Sequence, residues 1–339
     1  MRKNVHIVCQ GKGGVGKTFI CWLLAQFLLE RNGGDGIACA DSDPVNKSFA
    51  AFHGIPKMTS LNLFSDDNRN VEPGDFEKMF EFIQTAPESD LVIDTGASNF
   101  VPFQTFLSMD RADQMLADTN CNLILHVPIC GGENRQECVS RLQILINDVP
   151  NSRFVVWINN FPTIVYPKRK SEDSKEPENF EETETFQMYR HKIFGIVDLP
   201  LLPQDSTGRT LKLLTNAHLT FDEFIKLGEG SGSIPKVNDV AITYLQKFRA
   251  KQIKEALLKG TGLEALFSKL DSLKDLGAVD VISHDEKITT QRPVYVQGLG
   301  DVSTEAESEK RGRDASEADF ENALADEDFS GDESGETEV

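Results

Sequence analysis

Residues 11–18 read Gly11-Lys12-Gly13-Gly14-Val15-Gly16-Lys17-Thr18, a full match to the pattern GxxxxGK[ST]. They lie between an apolar run of strand length, Val5-His6-Ile7-Val8-Cys9, and an apolar helical pattern from Thr18 to Glu30, which is the context the pattern requires. Glycines allow consecutive backbone N–H groups to turn inward around phosphate oxygens, and the helix N-terminus that follows adds a favourable dipole. Gly11, Gly13, Gly14, Val15, Gly16, Lys17 and Thr18 are therefore candidate phosphate-binding residues. Lys17 supplies positive charge, and the Thr18 hydroxyl is placed for magnesium. A glycine-rich turn that only connected a strand to a helix would not need all eight positions.

Outward from this loop, strands and helices alternate. Ile37-Ala38-Cys39-Ala40 ends at Asp41, and Leu91-Val92-Ile93 ends at Asp94. Leu123 to Val127, Phe154 to Ile158 and Ile193 to Leu199 are three further strand candidates. Between them, Phe76, Met79, Phe80 and Ile83 share one face of a helix over Asp75 to Thr85, and Cys138, Val139, Leu142, Leu145 and Ile146 share a face of another. Nearly continuous apolar strands alternating with helices predict an α/β fold, a mostly parallel sheet flanked by helices. Ligands of such sheets sit at the carboxyl ends of the strands. Gly11, Asp41, Asp94 and Asn159 all fall at such ends. In Asp41-Ser42-Asp43-Pro44, two carboxylates beside a phosphate site are consistent with metal chemistry, with a solvated turn as the alternative. Asp94 is expected to hold magnesium through water.

The expected organisation is a core domain over 1–260, a helical or irregular extension over 261–300 and a disordered acidic tail over 301–339. Within the core, the polar stretch 161–192 reads as an exposed insertion or flap. A short helix is expected over Phe221 to Lys226 and a longer one over Asp239 to Lys259, with Val240, Tyr244, Phe248 and Leu257 toward the protein. The chain of 339 residues has a formal charge of -19, and its tail holds 15 acidic against three basic residues. A generally basic surface for nucleic acid or anionic membrane is thereby excluded, and the tail lacks the apolar surface needed to offset the entropy of ordering. Six scattered cysteines without a CxxC pair indicate reduced thiols. No apolar run approaches the roughly 20 residues of a membrane span, and MRKNVHIV leads directly into the first strand. A cytoplasmic protein without membrane insertion is expected.

Lys12 is not needed by an ordinary phosphate loop. KGGVGKT resembles the deviant Walker A motif of the ParA/MinD superfamily of P-loop ATPases, in which the early lysine reaches the nucleotide of a dimer partner, with the logic of an arginine finger. QGKGGVGKT, DSDPVNKSF, VIDTGASNFVPF, VVWINN and LTFDEF together resemble the TraL family of conjugative transfer proteins, a branch of that superfamily, over roughly residues 3–258. The resemblance implies ATP and Mg2+ as cofactors, an ATP-dependent homodimer and slow hydrolysis. It implies catalytic roles for Lys12, Lys17 and Asp43, with Asp43 orienting the attacking water. It places Thr18, Asp41 and Asp94 around magnesium and gives Asn159 the adenine base. Conjugation or plasmid-maintenance proteins are the implied partners. Nonspecific DNA remains open through Lys247, Arg249, Lys251 and Lys254, and so does a noncatalytic scaffold.

Overall fold

The computed structural model describes residues 2–275 apart from Pro44, 64–70, 169–175, 203–205 and 231–233. The described residues lie in the compact unit Met1–Val279; the expected tail, and the extension past Asp275, lie outside them. The first half of the chain comprises β1 (Lys3–Val8), α1 (Lys17–Arg31), β2 (Ile37–Asp41), β3 (Met58–Ser60), α2 (Glu77–Thr85), β4 (Asp90–Asp94), α3 (Phe100–Met109), α4 (Ala112–Asp118) and β5 (Cys121–Cys130). After these come α5 (Arg135–Asp148), β6 (Arg153–Asn159), α6 (Glu184–Tyr189), β7 (Ile193–Leu199), α7 (Ser206–Asn216), α8 (Phe221–Lys226), β8 (Lys236–Val237), β9 (Val240–Ala241), α9 (Tyr244–Leu258) and α10 (Leu263–Asp275).

Seven strands form one parallel sheet in the order β3-β2-β4-β1-β5-β6-β7, with helices on both faces, as the alternation predicts. Because successive side chains point to opposite faces, each strand feeds two cores. Val5, Ile7, Leu91 and Val156 face α2, α3 and α5, while Val8, Val92, Val155 and Trp157 face α1 and α8 to α10. Helix α1 is enclosed by apolar neighbours, with Ile20 to Leu28 all buried. That burial, about 1.5–3 kcal/mol for each large side chain, anchors a helix whose entry is a glycine loop. Among the described residues, no helix is long and apolar enough to cross a membrane.

A row of buried polar groups crosses the sheet. Asn122 donates to Asn4 (3.0 Å), Asn4 donates to Asp90 (2.7 Å), and Arg153 donates to Asn122 (2.9 Å). Beside it, Trp157 Nε1 donates to His126 Nδ1 (2.9 Å), and His126 Nε2 lies 2.9 Å from His6 Nδ1. An indole N–H can only donate, so His126 must accept at Nδ1 and carry its hydrogen on Nε2, which it gives to His6. His6 Nε2 then carries the ring's hydrogen and stands 3.8 Å from Asp90 Oδ1, buried without a hydrogen-bond partner.

Two expectations need correction. The stretch 161–192 is not a solvated flap throughout: Val165, Tyr166 and Phe180 are buried in the core, and Thr185 and Tyr189 accept hydrogen bonds from Gln143 (2.8 Å) and Asn147 (2.9 Å) of α5. Aromatic anchors inside a polar sequence hold it down. The long C-terminal helix begins at Tyr244, not Asp239, because Asn238 and Asp239 take positive φ (48° and 62°) in a two-residue hairpin between β8 and β9. Thr243 then caps α9 in a reciprocal capping box with Gln246. Its inner face is Ala250, Ile253, Leu257 and Leu258, and Val240, Tyr244 and Phe248 are exposed.

Candidate functional site

Sheet register assembles the site. Asp94 pairs with Val8 on one side and with Asp41 on the other, so the exit of β1 into the glycine loop and both carboxylates share one edge. Buried Gln10 fixes that exit: its carboxamide accepts from Gly11 N (2.9 Å) and donates to the carbonyls of Pro128 (3.1 Å) and Cys138 (3.3 Å). Gly16 adopts φ 94°, and a Cβ there would stand 2.7 Å from the Asn159 amide, so only glycine fits.

Lys17, Thr18, Asp43, Thr95 and the glycine loop line one cavity of about 540 Å³. Thr18 donates its hydroxyl to Asp94 Oδ2 (2.6 Å), whereas Asp94 Oδ1 is buried without a hydrogen-bond partner. Burial pushes the Asp94 carboxyl up to about 7, an effect the Thr18 hydrogen bond only partly offsets. A buried anionic oxygen without a donor is costly, so the pair suits a hydrated magnesium ion, which binds through one or two carboxylates, a hydroxyl and phosphates. Lys17 is itself buried and donates to the Lys12 carbonyl (3.2 Å); burial lowers its pKa, opposed by Asp94 and Asp43.

Asp41 and Asp43 have separate places. Fully buried Asp41 accepts from the backbone N–H groups of Asp43 (3.0 Å), Phe49 (2.9 Å) and Ala50 (2.9 Å), and its pKa is raised because burial outweighs those bonds. It shapes the loop that carries Asp43. Asp43 closes that loop by accepting from Val45 (2.9 Å) and Asn46 (3.0 Å), and it approaches Gly96 so closely that a Cβ there would lie 2.9 Å away. Ser42 donates through N (3.0 Å) and Oγ (2.7 Å) to the Asp94 carbonyl, and Asn99 donates to the Ser42 carbonyl (3.2 Å). The loops after β2 and β4 are thus tied together beside the phosphate loop.

Other expected residues are differently engaged. Asn159 donates to the Val15 carbonyl (3.0 Å) and accepts from Phe161 N (3.2 Å), so its amide braces the phosphate loop. Lys12 pairs with Glu137 of α5 (3.0 Å), which also holds Arg141 (2.9 Å). Together these two cations keep the Glu137 carboxyl below its ordinary range. On α9, Lys247 donates to the Leu227 carbonyl and Lys254 pairs with Glu30 and Asp222 (both 2.9 Å), while Arg249 is half-buried and Lys251 exposed. Gln10 and Asn99 lie inside the quoted motifs without an expected role, and Glu137 lies outside them. For Glu137 the local signal is its i,i+4 spacing from Arg141 on a predicted helix.

A parallel sheet flanked by helices, with a phosphate loop at the end of β1 and a Thr18–Asp94 pair beside it, defines an α/β fold of the P-loop type. No protein-family model matches the chain. It is similar to two proteins from Escherichia coli, each named Protein TraL: 29% identical over 255 residues, 75% of this chain and 95% of the relative, and 28% over 257 residues, 76% and 96%. The TraL resemblance carried by the motifs is therefore borne out over about three quarters of the chain. Solved structures similar to it include the MinC:MinD complex of Aquifex aeolicus (12% identity, TM-score 0.38, 74% of this chain and 95% of that one). FtsY of Mycoplasma mycoides is another (16% identity, TM-score 0.32, 46% of this chain and about half, 52%, of that one).

Proposed function

We propose that this chain is a Mg-ATP-dependent nucleotide switch with slow ATP hydrolase activity, dimerising face to face around two nucleotides and acting in conjugative DNA transfer or plasmid maintenance. The observation that carries the reading is the shared cavity of Lys17, Thr18 and Asp43 beside the unpartnered oxygen of Asp94. Thr18 and Asp94 would hold magnesium, Asp94 through water, with Asp41 supporting from the loop behind. When bound, magnesium neutralises charge developing on the phosphates. Lys17 and the backbone N–H groups of residues 13–18 bind and orient the phosphates. Asp43, on a loop tied to Gly96 and Asp94, accepts a hydrogen from the attacking water and aligns it. Lys12 completes the partner's site; its own pair with Glu137 is partly exposed on both sides, and such pairs contribute only about 0–1 kcal/mol, so a partner's phosphates can take it. Recognition of adenine by Asn159 requires its amide to leave Val15. The core domain over 1–260 carries this activity.

Light scattering of Asp43→Ala tests the reading. Blocked hydrolysis should trap a dimer with Mg-ATP and leave a monomer without it. No shift with ATP binding verified would refute the switch. Lys17→Ala should abolish ATP binding, measured by fluorescent-nucleotide titration, since the phosphates lose their central cation. A DNA-binding output is less favoured, because two of the four α9 cations are already turned to acceptors of this chain.

A further inference from the structure

A second cavity, of about 440 Å³, opens beyond the carboxyl ends of β6 and β7, a volume in the roughly 300–1,000 Å³ range of small-ligand sites. Ile158, Ile196 and Asp198 line it from the strands, and Asn160, Tyr166 and Phe180 close it from the segment after β6. Ile158 and Ile196 belong to the α5 side of the sheet, whereas Gly16 and Asn159 meet on the α1 side, so this cavity is separate from the nucleotide cavity and shares no lining residue with it.

Its chemistry is one-sided. Tyr166 is only 9% exposed, yet its hydroxyl has no hydrogen-bond partner. The ring's other demands are met outside the cavity: the Arg135 guanidinium lies over it (5.5 Å to the centroid) and donates to the Val165 carbonyl (3.0 Å). Asn160 is committed, donating to Asp198 (2.7 Å) and to the Leu199 carbonyl (2.9 Å) and accepting from Val165 N (2.9 Å). What remains open is the buried Tyr166 hydroxyl, with the acidic side chains of Glu181 and Asp198 lining the same cavity. Burial raises the Asp198 carboxyl against the Asn160 hydrogen bond, and it raises the Tyr166 hydroxyl to about 12 against the Arg135 charge; the Glu181 charge adds to both. Glu181 lines the same cavity as both groups, so carboxylate and hydroxyl acceptors share it. The rim is aliphatic, with Ile164 and Leu201 45% and 44% exposed. An aliphatic rim beside carboxylates suits an organic cation that carries an apolar stem.

The geometry points to a binding site in this cavity for an aliphatic cation of the arginine or lysine side-chain class, its stem against Ile164 and Leu201 and its head between the Tyr166 hydroxyl, Glu181 and Asp198. The burial of a charged head there is compensated because carboxylates and a hydroxyl replace its water. The same chemistry is presented by a partner protein's basic side chain and by a free polyamine.

Isothermal titration of the full chain tests this with n-butylguanidine, a capped arginine amide, spermidine and the neutral alcohol n-pentanol. The cations should bind and n-pentanol should not. Tyr166→Phe should weaken n-butylguanidine binding about tenfold, the loss of one hydrogen bond to a charged group. Glu181→Gln, on the exposed rim, should weaken it severalfold and flatten its salt dependence, and this variant carries the test if Tyr166→Phe fails to fold. Lys17→Ala should bind the cations unchanged, which separates this site from the nucleotide reading. Stronger binding of the capped arginine than of spermidine supports the site with a partner side chain as its occupant, and the reverse order supports it with a free polyamine. Equal binding of n-pentanol and n-butylguanidine, or wild-type affinity in both variants, overturns the proposal.

Discussion

Replacing Asp94 with Asn should make the nucleotide-free protein more stable at pH 8 while destroying its response to Mg-ATP. The Asp94 carboxyl stands at about 7, against 3.8 for an ordinary aspartate, because it is buried (1% exposed) with one oxygen unpartnered and Asp41 and Asp43 nearby, opposed by Thr18 and Lys17. A raised carboxyl pKa means that the folded state binds the proton more tightly than the unfolded chain. Stability therefore falls as pH rises between the two values and levels off above about 7. At about 1.4 kcal/mol per unit of pKa, the cost on the plateau is about 4 kcal/mol, and at pH 5 it is still about 1.6 kcal/mol. Asn removes this charge but gives the site an amide that needs its own partners, at a cost of about 1–3 kcal/mol. The variant should thus gain about 1–3 kcal/mol at pH 8, and its advantage should shrink by about 3 kcal/mol at pH 5. Urea unfolding of both proteins at pH 5, 7 and 8 reads this directly, and the comparison cancels the contribution of His126, which both proteins share. Added Mg-ATP should stabilise the wild type by binding linkage and leave the variant unmoved. A variant less stable than wild type at pH 8, or a stability difference that does not change with pH, would refute the picture of a carboxylate waiting for a cation.

Two further outcomes follow from contacts elsewhere. Lys12→Ala should keep ATP affinity and lose dimerisation or turnover, whereas Glu137→Gln, which frees Lys12, should lower the protein concentration needed for the ATP-dependent dimer by up to about thirtyfold, the equivalent of about 2 kcal/mol for the two pairs broken per dimer; sedimentation velocity distinguishes them, and normal hydrolysis by monomeric Lys12→Ala would sink the cross-subunit role. Trp157→Phe strips His126 Nδ1 of its donor and should cost about 1–3 kcal/mol in urea unfolding at pH 8. Burial, then the neighbouring His6, holds the His126 pKa well below its ordinary value, so in the wild type the unfolded chain takes up a proton that the folded one refuses. Stability should fall as pH drops below about 6.5. In Trp157→Phe that fall should be shallower, because Nδ1 can then carry a hydrogen and His126 can share a proton with His6.

What the sequence made legible was whatever is local. The glycine loop, Thr18, and the acids closing β2 and β4 each sit within a short motif whose neighbours force its conformation, so their meeting at one sheet edge followed once the strands were read as parallel. Asn159 and Lys12 were legible as residues but not as contacts. The Val15 carbonyl that Asn159 binds is 144 positions away, and Glu137 lies 125 positions beyond Lys12. Helix α9 shows a different failure. Its apolar residues can be grouped on more than one helical face, and reading Val240, Tyr244 and Phe248 as inward assumed a helix that started five residues early. Asn238-Asp239 and the Thr243-x-x-Gln246 cap were the local signals that set the boundary. With the helix begun at Tyr244, Ile253 and Leu257 take the core, and the aromatic first turn is left in solvent. The stretch after β6 fails in the opposite sense, because its charged residues outnumber Tyr166 and Phe180 while those two decide its position. Composition reports what most of a segment prefers, and placement follows from the few side chains that can be buried. In this chain, the same few also wall the second cavity.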